Sequence, residues 1–213
     1  MRKFHAALGA MVRIVLLAVA LAGFGASAAS AQGSASAEAY IQTNIQRGLD
    51  ILDNHALAPA DRRDQFRAFL ESLTDFNRVA LFTLGAAART ASDADKSAFE
   101  AAFHDYAVAV YNSRLSRYDG QVLKVTGSMQ NKPGDFSVHC VMTDPHGGAP
   151  TQIDFRVLSD GGKFVLMDAS VEGIWLAIEE RDQFVSFLGN HNGDIHALIE
   201  HLNTLTARES GGR

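Results

Sequence analysis

Residues Lys163 to Leu188 read KFVLMDASVEGIWLAIEERDQFVSFL. The stretch opens as a strand from Phe164 to Ala169, turns at Gly173 and closes in a helical pattern that ends at Phe187 and Leu188. Strand alternation places Phe164, Leu166 and Asp168 on one face and Val165, Met167 and Ala169 on the other. A strand apolar on both faces is expected to be covered on both sides, hence central in its sheet. Gly173 lets the backbone turn before Trp175, the only tryptophan of the chain. The stretch has the form of a wall and a hinge rather than of a reaction centre.

Upstream of it the apolar period is two. Leu123, Val125 and Met129 alternate with Lys124, Thr126 and Ser128. Phe136, Val138, Cys140 and Met142 alternate with Ser137, His139 and Thr143. Ile153, Phe155 and Val157 alternate with Asp154 and Arg156. Turn signals at Asn131 to Gly134, Pro145 to Gly148 and Asp160-Gly161-Gly162 separate these runs, the last being a tight hairpin signature. The spacing predicts a four-stranded antiparallel meander.

Before the strands the period is helical. Ile41, Ile45, Leu49 and Leu52 share one helix face. Pro59 suits the first turn of a second helix with Phe66, Phe69, Leu70 and Leu73 on its apolar face. Thr74 or Asp75 is positioned to cap a third, carrying Phe76, Val79, Ala80 and Leu84 and ending near Gly85. Ser92 with Asp95 forms a capping-box pattern for a long fourth helix with Phe99, Phe103, Tyr106 and Val110. After the strands, helices are expected at about Ala177 to Leu188 and Asp194 to Ala207. No repeat or linker interrupts residues 32–213. The expected fold class is α+β, one domain with a curved antiparallel sheet packed against N-terminal and C-terminal helices.

The N-terminus has a separate character. Arg2, Lys3 and Arg13 precede the apolar run Ile14 to Phe24, and the small residues Ala29-Ser30-Ala31 follow. This is the pattern of a cleavable secretory signal peptide covering residues 1–31. The run is shorter than the ~20 apolar residues of a membrane span. Cleavage would remove three of the 19 basic residues and none of the 24 acidic ones, leaving 182 of 213 residues with net charge −8. An acidic domain lacks the electrostatic footprint of a nucleic-acid-binding protein, so none is expected as partner. It also gains little from anionic lipid surfaces. With a single cysteine, Cys140, the fold cannot rest on an internal disulfide.

Catalytic and metal-binding motifs are scarce in the chain. Cys140 and His139 are adjacent in a strand and point to opposite faces, so they do not make a nucleophile–base dyad. Cys140 reads as a buried structural thiol. His196 and His201 do not share a helix face, and no His-Glu-x-x-His, Cys-x-x-Cys or His-x-His occurs, so neither metal nor cofactor is expected. Glu179 and Glu180 diverge on their helix, and Asp182 lines its polar side. No nucleophile elbow, phosphate loop or dinucleotide fingerprint is present. Asp168, an acid in an otherwise apolar strand, reads either as a buried catalytic acid or as a group paired with arginine or capping backbone amides.

An ordered set of segments carries a resemblance. Phe76-Asn77-Arg78 to Gly85, the helix of Ser92 to Tyr118, Asp119-Gly120-Gln121-Val122, and Gly161-Gly162-Lys163-Phe164 through Asp168 come first. Val171-Glu172-Gly173-Ile174, Arg181-Asp182-Gln183-Phe184 and Gly193-Asp194-Ile195 with Leu198 and Leu202 complete it. Together, over Ala39 to Leu205, they resemble the toluene-tolerance (MlaC-type) family of periplasmic lipid carriers. Two positions depart from the family pattern: Lys163-Phe164-Val165 stands where Trp-Lys-Val is usual, and Trp175 where serine is usual. The Gly-Ile-Trp-Leu-Ala version resembles the hopanoid-associated branch, HpnM.

The resemblance implies a non-enzymatic periplasmic carrier whose sheet and helices enclose a deep apolar pocket for a phospholipid or hopanoid, with the head group near solvent. The implied partners are an inner-membrane lipid transporter complex and an outer-membrane lipoprotein complex. Inward strand positions and facing helices then give the lipid-contact set: Leu123, Val125, Val138, Cys140, Phe155 and Val157 on the sheet, and Phe82, Phe103, Tyr106 and Val110 on the helices. Ile174 and Trp175 are expected at the hinge or mouth. Two rival readings are a periplasmic enzyme using Asp168 with Tyr106 or a histidine, and an adaptor with a filled core.

Overall fold

The computed structural model describes residues 24–115, 118–160 and 162–211. The expected leader lies outside the described residues up to position 23, and helix backbone is continuous from Phe24 onward. The elements are α1 (Phe24–Leu52), α2 (Pro59–Leu73), α3 (Phe76–Leu84), a 3₁₀ turn (Gly85–Arg89) and α4 (Asp93–Leu115). They continue with β1 (Val122–Lys132), β2 (Asp135–Thr143), β3 (Thr151–Asp160), β4 (Lys163–Val171), β5 (Ile174–Trp175), α5 (Leu176–Asn190) and α6 (Ile195–Gly211).

Local chemistry sets the helix ends. Pro59 opens α2. Asp75 caps α3 by accepting from the Arg78 backbone N–H at 3.0 Å. Gly85 ends α3 with φ +66°, and a Cβ there would meet Val185 at 2.9 Å, so the glycine also permits close approach of α3 to α5. Ser92 Oγ accepts from the Asp95 N–H at 3.1 Å and donates to the Asp95 carboxylate at 2.8 Å. Asp194 accepts from the N–H groups of His196 and Ala197 at the start of α6.

The strands form one antiparallel sheet in the order β1-β2-β3-β4-β5. The added fifth strand is two residues long, and β3 rather than β4 is central. β5 reaches only Ser170 and Val171 of β4. The rest of that edge meets a lone parallel bridge between Thr74 and Leu166. The turn joining β4 to β5 has two residues, Glu172 and Gly173, both at positive φ, the geometry of the primed hairpin turns. Glu172 holds this strained position through two bonds to Gln152 of β3: its N–H donates to the Gln152 carbonyl at 3.0 Å, and its carboxylate accepts the Gln152 N–H at 2.7 Å.

One-residue offsets break the alternation read from sequence. In β1 the register steps from Val125–Cys140 to Gly127–His139. Beyond it Ser128, not Met129, faces α1: its hydroxyl donates to Glu38 at 2.6 Å, while Met129 is 55 % exposed. In β4 the register steps from Val157–Leu166 to Arg156–Asp168. Leu166 therefore packs beneath α1 and Asp168 lies on the other face, so the expected grouping of Phe164, Leu166 and Asp168 does not hold. Such bulges also bend a strand.

The apolar residues form two cores. One lies among α3, α4, α5 and α6 around Leu84, Phe99, Phe103, Phe184, Leu198 and Leu202. The other lies between α1 and the sheet around Ile41, Phe136, Val138, Cys140 and Val157. Helix α2 contributes one buried side chain, Phe69. The site lies along the seam between the two cores.

Candidate functional site

Two cavities occupy the seam. The first, about 280 Å³, lies between α1, α2 and the sheet. Ile45, Leu49, Phe66, Leu70, Leu123 and Phe155 are among its walls. Its accessible lining is apolar throughout, and the Asn44 side chain on its wall is turned to its own helix, donating to the Tyr40 carbonyl at 2.9 Å. The two helices touch at Gly48, where a Cβ would meet the Phe69 ring at 3.2 Å, and the cavity lies beside that contact.

The second cavity, about 150 Å³, is bounded by α3, α4, β4 and α5. Phe76, Phe103 and Val110 give it apolar walls, while Tyr106, Arg114, Asp168 and Glu180 add polar ones. Tyr111 and Leu166 line both cavities, so two side chains form the partition. Tyr111 is 39 % accessible, and burial raises the pKa of its hydroxyl. A groove of about 450 Å³ adjoins the second cavity at Val79, Met167, Asp168 and Ala177, and Phe82, Arg78 and Lys132 flank it.

The polar groups here have definite partners. Asp168 Oδ1 accepts the N–H groups of Ala169 at 2.8 Å and Ala177 at 2.9 Å. It caps the first turn of α5, as one of its two sequence readings has it. Burial raises its pKa, against the two backbone bonds. Arg156 forms a fork with Asp135, at 3.1 and 2.7 Å. Tyr106 donates to Glu180 Oε1 at 2.9 Å. Burial raises the Glu180 pKa more than this bond lowers it. Tyr106 is bonded to Glu180, and Asp168 to the backbone of Ala169 and Ala177. Among the described residues no three His, Cys, Asp or Glu side chains converge in a metal-holding group.

The structure distributes the expected contact set over five settings. Leu123 and Phe155 line the apolar cavity, and Phe103, Tyr106 and Val110 line the second. Phe82 borders the groove, with the Arg181 guanidinium 4.9 Å from its ring centre. Val138, Cys140 and Val157 have no accessible surface and belong to the packed core under α1, with Val125 against it. Ala37 and Ile41 fill the space above them. Ile174 is 58 % exposed on β5, and Trp175 beside it precedes α5, neither lining these cavities. Phe66, Leu70, Tyr111, Leu166 and Glu180 line the cavities without belonging to that set. The helical period marked the first two as an apolar face, but only tertiary contact shows that this face borders a space.

An antiparallel meander roofed by helices, with a wholly apolar cavity between roof and sheet, has the form of a protein that encloses an apolar ligand. The MlaC protein family model matches residues 42–204, and the chain belongs to this family. The fold is similar to that of a solved structure described as the phospholipid-binding protein from Ralstonia solanacearum in complex with a phospholipid. That match has a TM-score of 0.71 and 17 % identity, and covers 81 % of this chain and 98 % of the other. Among the described residues no helix is long and apolar enough to cross a membrane.

Proposed function

We propose that this protein is a periplasmic lipid carrier, exported through a cleavable signal peptide of residues 1–31, which moves a lipid between the inner and outer membranes. The observation that carries the reading is the cavity between α1, α2 and the sheet, whose accessible lining is entirely apolar. Burying one CH₂ is worth about 0.8 kcal/mol, so a chain of roughly 16 carbons represents on the order of 12 kcal/mol. A lipid leaves a bilayer for water at a useful rate only if a carrier returns most of that. An enclosed cavity does so without the aggregation that an exposed apolar patch brings.

Family membership and the phospholipid in the similar Ralstonia solanacearum structure favour a phospholipid as cargo. The Gly173-Ile174-Trp175 variant is what favours a hopanoid. Docking to an inner-membrane lipid transporter complex and an outer-membrane lipoprotein complex completes the proposal. The seating of Asp168 as a helix cap favours this reading over an Asp168-dependent enzyme.

The test is mass spectrometry of an organic extract of the protein purified from a bacterial periplasm without detergent. Near-stoichiometric phospholipid supports the carrier reading, and hopanoid from a hopanoid-making host assigns the branch. An extract that stays empty after incubation with lipid vesicles overturns it.

A further inference from the structure

The apolar side chains that packing leaves in solvent gather on one surface, away from both cavities. Eight large ones are exposed among the described residues, and five of them, Phe82, Val171, Ile174, Ile178 and Val185, belong to α3, α5 and the β4–β5 hairpin that leads into α5. These five are contiguous. Val171 pairs with Ile174 across the hairpin. Ile178 and Val185 stand seven residues apart on α5, two turns along one face. Between them the Arg181 guanidinium lies over the Phe82 ring of α3, 4.9 Å from its centre. Val185 in turn lies against Gly85 at the end of α3, where a Cβ would meet it at 2.9 Å. Charge frames the stripe on both flanks. Arg181 and Asp182 are each three or four residues from Ile178 and from Val185, one on either side. Arg78, exposed on α3 four residues before Phe82, adds to the basic flank, and Glu179 extends the acidic one. Neither Arg78 nor Arg181 has an ion pair among the described residues. In a chain with 24 acidic against 19 basic residues, two such arginines beside an exposed phenylalanine point to an acidic partner.

We propose that this surface docks an amphipathic helix of a partner protein. Its apolar residues would lie over the Ile178–Val185 stripe, its carboxylates towards Arg78 and Arg181, and its basic edge towards Asp182 and Glu179. The proposal rests on the lipid-carrier reading and locates on this chain the face by which the carrier engages a protein. Apolar residues seven apart, with opposite charges on the two flanks, are what one helix presents to another. Exposed apolar patches rimmed by polar groups mark interaction sites, and arginine and aromatic rings dominate the energy of such contacts. An anionic bilayer fits less well, because Asp182 and Glu179 would be pressed against its head groups. The patch is small, which suits an encounter that ends once the lipid has passed.

The purified protein is loaded with a fluorescent phosphatidylethanolamine and mixed with one of two acceptors. One is protein-free vesicles of phosphatidylethanolamine and phosphatidylglycerol; the other is vesicles made from the envelope membranes of the bacterium that encodes the chain. The change in fluorescence reads the transfer rate. The unaltered protein should deliver faster to the native vesicles, and trypsin treatment of those vesicles should remove the difference. Ile178→Glu should load normally and transfer to protein-free vesicles at the unaltered rate. On native vesicles it should be slower by about ten-fold, the weight of one central interface residue. Should that variant not fold, Arg78→Glu serves the same test, since it leaves the apolar stripe whole and puts an acid in the first turn of α3, where the helix dipole favours one. Asp182→Lys should also slow native transfer, whereas docking to an anionic bilayer would make it faster on both acceptors. Equal rates of the unaltered protein on the two acceptors overturn the inference and leave the carrier reading standing. So does native transfer kept in Ile178→Glu and Arg78→Glu, an equal loss on protein-free vesicles, or a faster Asp182→Lys. Failure of the unaltered protein to load lipid overturns both.

Discussion

The Asp168 carboxylate on β4 accepts the backbone N–H of Ala177 at 2.9 Å, nine residues further along the chain. The same oxygen accepts the N–H of Ala169 at 2.8 Å. One side chain thereby fastens the last long strand to the first turn of α5, whose N-cap residue, Trp175, makes no side-chain capping bond. Free N–H groups at a helix start need such a partner, and the helix dipole favours a negative one.

Asp168→Ala should therefore cost about 1–2 kcal/mol of stability, in the range of a lost N-cap. Asp168→Asn, which keeps a carbonyl acceptor, should cost less and should still load lipid. Urea denaturation and extract analysis of both variants check this. Loss of lipid transfer in a folded, lipid-loaded Asp168→Asn would revive a chemical role for the acid.

Cavity walls and packed core should respond differently to substitution. Leu49→Trp places an indole in the apolar cavity and should sharply reduce lipid loading in a protein that still melts cooperatively. Val157→Ala, in a core without accessible surface, should lower stability by about 2 kcal/mol and leave loading intact. Melting curves with and without lipid report both effects, since a ligand of the native state raises Tm.

The carboxylates should act on stability in opposite directions as pH changes. Asp135 is held below its ordinary 3.8 chiefly by the Arg156 hydrogen bonds. Its contribution is full above that value and is lost as pH falls through the lower folded pKa. Asp135→Asn should flatten the acid limb of a urea midpoint-versus-pH curve. Glu180 is raised above 4.5 by burial. The folded state therefore binds its proton more tightly, and stability declines as pH rises from 4.5 through the folded pKa. Glu180→Gln should remove that decline. A slope of the same sign for both residues would contradict the geometry.

Burial pushes the Cys140 thiol up to about 12, with the Asp154 charge adding to the effect, and the residue has no accessible surface. The thiolate is the reactive form, so iodoacetamide should leave Cys140 unmodified in the native protein and label it on denaturation. Mass measurement of the intact protein reads the difference.

The helical spacing of Ile45, Leu49, Phe66 and Leu70, the Asp75 and Ser92 caps and the two-residue turns all follow from chain-local preferences. Such preferences depend only on neighbours within a turn or a pair of strands. The sequence alone thus determined the α+β order, the antiparallel meander and, with the family resemblance, the kind of fold. Bulges escape such reading, because alternation carries its phase forward until a residue is inserted. The offsets beyond Val125 and at Met167 turned Ser128 toward α1 and Asp168 away from it. Tertiary structure alone decided which apolar faces touch and which stop short of each other. A buried Val138 and a cavity-lining Leu123 satisfy the same period-two rule, and only the position of Ala37 and Ile41 above the sheet separates them. The Glu180 carboxylate belongs to the same category: its helix position reads as polar surface, and only the closure of α4 and β4 around it makes it a buried acceptor.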